Sequence, residues 1–210
     1  MRRAFILASL LAHPISAIAV PPAVSEPWIP VPLSSGLPSL HRALTPQNGI
    51  GQTSIVLETT RLSDLYRLHL IRAVSHKGDA ASSISWGCWY NNTKVGSVRI
   101  CPASYEIDGG DIIGSLSIER VPVPSQPITP EAITIAGLIK FGATYDEIMQ
   151  TFGTETNRHT EKNGTVIIDW RYNQPLSTKQ GRGFSTFGDL VVTFEHNTMT
   201  KIFFSQTTAD

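Results

Sequence analysis

The chain has 210 residues, 41% of them hydrophobic and 16% charged, with equal numbers of acidic and basic side chains. That composition excludes a disordered chain and suits one or two compact domains. A net charge of zero, with no basic or acidic block, offers nothing for nucleic acid or an anionic membrane surface to recognise.

The N-terminus reads as an export signal. Met1-Arg2-Arg3 is a short positive start, and Ala4–Ala12 is an apolar run too short to span a bilayer. Pro14 would break a core helix here. Ala17-Ile18-Ala19 supplies the small-x-small pattern of a signal-peptidase site. Residues 1–19 are therefore expected to be removed, leaving a periplasmic or secreted protein. No cysteine follows the apolar run to accept a lipid, and no other stretch is long enough to cross a membrane. Removal takes away two arginines and no acid, which leaves 15 basic against 17 acidic residues. In an oxidising compartment Cys88 and Cys101, thirteen apart in strand-like sequence, are expected to pair. Closing a loop of that size stabilises by roughly 3 kcal/mol.

Residues 20–51 hold seven of the fourteen prolines and read as an extended spacer. Within it Trp28 and Ile29 are either a docking motif or a patch that packs on the chain's own domain. Thr53–Thr59 fits a strand or a short helix. Ser63-Asp64 starts a helix with Leu65, Leu68 and Ile71 near one face. Val74–Ser83 reads as loop. Ile84–Tyr90, Val95–Cys101 and Asp111–Glu119 read as strands, with a turn at Asn91–Thr93 and an Asp-Gly-Gly turn at Asp108–Gly110. Residues 121–130 carry four prolines and mark a linker between a first unit, 52–120, and a second, 131–206. Thr129-Pro130-Glu131 starts a helix expected over 131–140. Thr144 and Glu147 form a capping box for a second helix ended by Gly153. Strands follow at Val166–Tyr172, Leu190–Glu195 and Met199–Ser205, the last two joined by a tight turn at His196-Asn197. Residues 176–188 form a Gly-rich loop.

The two units show a faint repeat. Asp64 and Asp146 begin corresponding helices, and Tyr90-Asn91 and Tyr172-Asn173 end corresponding strands, both 82 residues apart. The expected fold class is α+β: two tandem repeats, each a helix pair packed on a 3–4-stranded antiparallel sheet. Alternation places Ile84, Trp86, Cys88 and Tyr90 on one side of their strand, with Val166, Ile168, Trp170 and Tyr172 as counterparts on a core side. Trp89, Asp169 and Arg171 fall on the other. If Val98 and Ile100 also face the core, Cys101 points away from Cys88. A disulfide needs both on one side, so either a bulge shifts the register or a face is inverted.

The pieces Gly142-x-Thr144-x-x-Glu147-Ile148, Phe152-Gly153, Trp170-x-Tyr172 and Leu190-x-Val192-x-Phe194 resemble the SmpA/OmlA family of small bacterial envelope proteins, clearest over 139–204. The doubled arrangement with a short disulfide is similar to the β-lactamase inhibitor protein fold. That resemblance implies tandem helix–sheet repeats making a concave protein-binding surface. The lipid-acceptor cysteine of the assembly lipoproteins has no counterpart here.

No nucleophile elbow, zinc-binding helix or metal-spaced Cys/His cluster occurs, so no catalytic residue, cofactor or metal is expected. Asp108 and Asp111 around two glycines are too few carboxylates for calcium. The expectation is a non-catalytic module that binds another protein through the open sheet face, using Trp89, Asp169, Arg171 and Phe203. The alternatives are an envelope hydrolase with Asp169, Glu195 and His196 converging on loop 176–188, or a structural envelope-assembly component. N-terminal sequencing of the exported chain is expected to begin at Val20, and an intact Met1 would remove the export reading.

Overall fold

Strands dominate the computed structural model of this chain. The structure describes residues 25–31, 40, 44–79, 82–106, 109–122, 131–176 and 183–209. The signal segment 1–19 and the Thr129-Pro130 helix start lie outside them. In chain order the strands are β1 (Gln47–Ile50), β2 (Thr53–Val56), β3 (Ser75–Lys77), β4 (Ile84–Trp86), β5 (Trp89–Thr93), β6 (Gly96–Tyr105) and β7 (Ser115–Arg120). Then come β8 (Ile133–Ile135), β9 (Ile139–Lys140), β10 (Asn157–Thr160), β11 (Val166–Leu176), β12 (Phe184–Glu195) and β13 (Thr198–Ala209). Helix α1 spans Leu62–Arg67 and α2 spans Tyr145–Phe152.

These strands make two antiparallel sheets. The small one has the order β2-β1-β8-β9. The large one has nine strands in the order β10-β11-β12-β13-β7-β6-β4-β3, with β5 also paired to β6. One core lies between them. It joins Ile50, Ile55, Ile133, Ile135 and Ile139 of the small sheet to Val98, Ile100, Leu116, Ile118, Ile168, Trp170, Leu190, Val192, Ile202 and Phe204 of the large one. Leu62 and Leu65 of α1 and Ile148 of α2 close its ends.

The expected tandem repeats of a helix pair on a small sheet are therefore not the fold. Each half contributes one short helix among the described residues. The halves share both sheets: β7 pairs with β13, setting Ile118 opposite Ile202 and Leu116 opposite Phe204, while β1 pairs with β8. The helix expected over 131–140 is two strands joined by a turn, in which Ala136 and Gly137 take φ of 50° and 67°. Ile133 and Ile135 alternate into the core, and β-branched side chains at that spacing favour a strand. Buried Asn48 holds the turn: its Oδ1 accepts from the Ala136 amide at 3.0 Å and its Nδ2 donates to the Pro46 carbonyl at 2.9 Å.

Other elements differ more mildly. Thr53–Val56 is a strand, and residues 75–77 form a strand inside the expected loop. Residues 91–93 continue β5, so the turn moves to Lys94-Val95. The expected loop 176–188 is shorter, because β12 already begins at Phe184. Helix α1 begins at Leu62, and the carboxylate of Asp111, 48 residues on, accepts from the amide and hydroxyl of Ser63 at 2.9 Å each. An anion from another loop thus caps the helix that a local residue was expected to cap. Leu68 is 67% exposed, whereas Ile71 is buried.

Helix α2 matches its expectation. The Thr144 hydroxyl accepts from the Glu147 amide, the Glu147 carboxylate accepts from the Thr144 amide, and Gly153 ends the helix with φ of 73°. Trp170 is fully buried and donates from Nε1 to the Gly153 carbonyl at 3.2 Å, which fastens the helix end to β11. Asn197 and His196 take positive φ in the tight turn between β12 and β13. On the neighbouring row Tyr172 lies across Gly188, its pairing partner on β12. A Cβ at Gly188 would stand 2.2 Å from Tyr172 Cζ. Gly188→Ala is expected to cost roughly 1–3 kcal/mol of stability in urea unfolding; an unchanged midpoint would refute the close packing.

Candidate functional site: the outer face of the large sheet

Antiparallel pairing decides which residues share a side. The strand pair β4–β6 sets Trp86 opposite Ala103, and β5–β6 sets Trp89 opposite Ile100. The register is continuous, so Cys88 falls opposite Cys101. Their sulfurs are bonded, with Cα atoms 4.3 Å apart. Ile100 is a core residue, so Trp89 packs on the core side and the disulfide lies on the outer side. This corrects the expected faces. Trp86, Cys88 and Tyr90 point outward, and Trp89 does not join the proposed binding set. Trp170 and Tyr172, the counterparts of Cys88 and Tyr90, are buried in the core as expected.

The remaining three do share the outer face. Asp169 pairs with Val191, Val191 with Phe203, Phe203 with Ser117, and Ser117 with Cys101. Arg171 pairs with Asp189 on the next row. Arg171 stands between two carboxylates, 3.7 Å from Asp169 and 3.2 Å from Asp189. Asp169 is only 2% exposed, and both its oxygens accept from Asn157 Nδ2, at 3.0 and 3.1 Å. Val191, Phe203, Cys101, Ala103 and Trp86 are buried on this side, outside the main core cluster. Among the described residues the Trp86 indole N–H meets no acceptor.

A third row crosses the face with charge. Lys201 pairs with Glu119, and Glu119 pairs with Arg99. Arg99 Nε donates to Glu119 at 2.9 Å, and Lys201 Nζ lies 3.9 Å from the same carboxylate. Two cations thus flank one anion. On this row lies a piece of the proline-rich segment. Arg99 donates to the Ser25 hydroxyl and, at 2.9 Å, to the Glu26 carbonyl. Lys77 Nζ reaches both Glu26 carboxylate oxygens, at 2.9 and 3.0 Å. Lys201 Nζ sits 5.5 Å from the centre of the Trp28 ring, within cation–π range. The Ser25 carbonyl lies 3.8 Å from Cys88 Sγ. Trp28 therefore packs on its own domain, while Ile29 is 44% exposed. Composition marked this segment as extended; nothing in it pointed to the face it covers.

The residues of the hydrolase alternative do not converge. Asp169 lies opposite Val191, four residues along β12 from Glu195, which is about 13 Å of strand. Glu195 is engaged by Arg120 at 3.2 Å. His196 lines a shallow cleft with Tyr145 and Arg158 at the far end of the β11–β12 hairpin from the 176–188 loop. Among the described residues no group of three His, Cys, Asp or Glu side chains is placed to hold a metal ion. No helix of the described residues is long and apolar enough to cross a membrane. No family model matches the chain, and neither any curated protein nor any solved structure does.

Burial pushes the Asp169 carboxyl above its ordinary value of 3.8, against the opposing pull of Asn157 and Arg171. A folded-state value above the unfolded one means the fold binds more protons in that window. Stability linked to Asp169 is therefore present at low pH and is lost as pH rises through the folded value. Asp169→Asn, which never ionises, is expected to gain on the wild type as pH rises past the carboxyl's ordinary value of 3.8, in urea unfolding. A gap that narrows with rising pH would contradict this.

Proposed function

We propose that this chain is an exported, non-catalytic protein-binding module of the bacterial envelope that holds a protein partner on the outer face of its nine-stranded sheet. The observation that carries the reading is that this face already holds polypeptide: Ser25–Glu26 on Arg99, and Trp28 beneath Lys201. Strand pairing sets Arg99, Glu119 and Lys201 in one row below it. The sheet edges favour the same mode. The end strands are short and carry His76 and Lys77 on β3, and Arg158 and His159 on β10. Charged, short edges disfavour pairing with a foreign strand.

The Cys88–Cys101 disulfide is compatible with an exported protein, and the apolar run at residues 4–12 supports the same location. The likeness of residues 139–204 to SmpA/OmlA proteins supports outer-membrane assembly as the setting for the partner. The mature chain is the bait for a pull-down from envelope extract. Arg171→Glu with Lys201→Glu is expected to weaken capture of a specific partner by at least about tenfold, since charges at an interface set encounter and specificity. Tyr66→Ala, on an exposed helix away from the face, is expected to leave it unchanged. Equal capture by the folded double variant would remove the outer face from the reading.

A further inference from the structure

We propose that Ser25–Val31 is a built-in competitor, and that the partner docks through a segment of the same chemistry: an acidic residue, a proline, an aromatic and a second proline in extended conformation. This deepens the reading above and rests on it. Pro27 and Pro30 remove two donors and preset an extended backbone, so the segment reaches the face with little ordering cost. Proline-containing segments held extended are a recurrent mode of peptide capture.

The receptor matches that chemistry group by group. Lys77 takes the carboxylate, Arg99 takes a hydroxyl and a carbonyl, and Lys201 takes the aromatic ring. Arg99 and Lys201 surround the single carboxylate of Glu119, which leaves one positive charge in excess to meet an electron-rich ligand. Trp86 adds a buried donor with no acceptor among the described residues, beside the disulfide that the Ser25 carbonyl approaches.

The resident segment is loosely held. The Lys77–Glu26 pair has both side chains more than 60% exposed, where ion pairs contribute little. Trp28 is half-buried, and Val31 is 82% exposed. Its occupancy comes from being tethered, which supplies an effective concentration on the order of millimolar. A free segment with better burial of its aromatic displaces it.

The probe is a fluorescent peptide of the Ser25–Val31 sequence, titrated against the full mature chain by anisotropy. Trp28→Ala in the chain is expected to tighten binding of the probe by at least about tenfold, because the tethered competitor is weakened. Deletion of residues 20–31 is expected to do the same. Adding Arg99→Ala to Trp28→Ala is expected to abolish that gain. Probe binding that is equal in wild type, Trp28→Ala and the deletion, or absent from all three, would overturn the proposal. So would a concentration-dependent dimer of the wild-type chain that Trp28→Ala dissolves, since the segment would then serve exchange between two copies. The pull-down stands apart: capture that needs Arg171 and Lys201 but ignores residues 20–31 sinks this inference and keeps the outer-face reading.

Discussion

One cross-strand pair fixes the two sides of the large sheet. Cys88 lies opposite Cys101, and the side-chain period of a strand is two, so this pair assigns a side to every residue of β4, β5 and β6. From β6 the assignment passes through β7 to β13, β12, β11 and β10 by unbroken antiparallel pairing, apart from one irregularity between Thr193 and Phe194. The core residues, the charged row and the buried carboxylate all take their sides from that register. The covalent bond and the strand pairing reinforce each other: the bond closes the loop in the unfolded chain, and the pairing puts both sulfurs on the same side.

The two sides of the large sheet make different demands. The inner side is filled by aliphatic and aromatic groups shared with the small sheet. The outer side mixes Phe203, Val191 and the disulfide with Asp169, Arg171, Glu119, Arg99 and Lys201. That mixture suits a ligand bearing both apolar and charged groups. It also explains the fate of the aromatic cluster on β4 and β5. Trp86 on β4 and Trp89 on β5 keep one register against β6 and sit three apart, so one serves the outer side and the other the core.

The fainter structural features follow from local chemistry meeting distant partners. Helix α1 is six residues long and is too short to persist by propensity alone. Asp111 stabilises its first turn from another part of the chain, with Ser63 and Arg61 holding the carboxyl below its usual range against the effect of burial. Asn48 does the same for the β8–β9 turn. In both cases one buried or half-buried polar side chain ties together segments that are far apart in sequence.

Some of this was legible in the residues themselves. The capping box at Thr144–Glu147, the stop at Gly153 and the hairpin at His196-Asn197 are local, because their hydrogen bonds close within a few residues. The disulfide and the burial of Trp170 and Tyr172 were also legible, from compartment and from alternation. The face of Trp89 was not, because β4 and β5 carry apolar residues on both sides and the pattern lacks contrast. Ile133–Ile139 suits a buried helix or a buried strand equally over so few residues, and pairing with β1 decides between them. The merging of two apparent repeats into shared sheets was equally hidden. It rests on Leu116 and Ile118 meeting Phe204 and Ile202 across more than eighty residues. The Thr144 cap, the Gly153 stop, the His196-Asn197 turn and the pairing of the sulfurs follow from nearby residues and the compartment. The faces, the sheet order and the place of Trp28 emerge only in the folded chain, since each depends on which distant strand lies alongside.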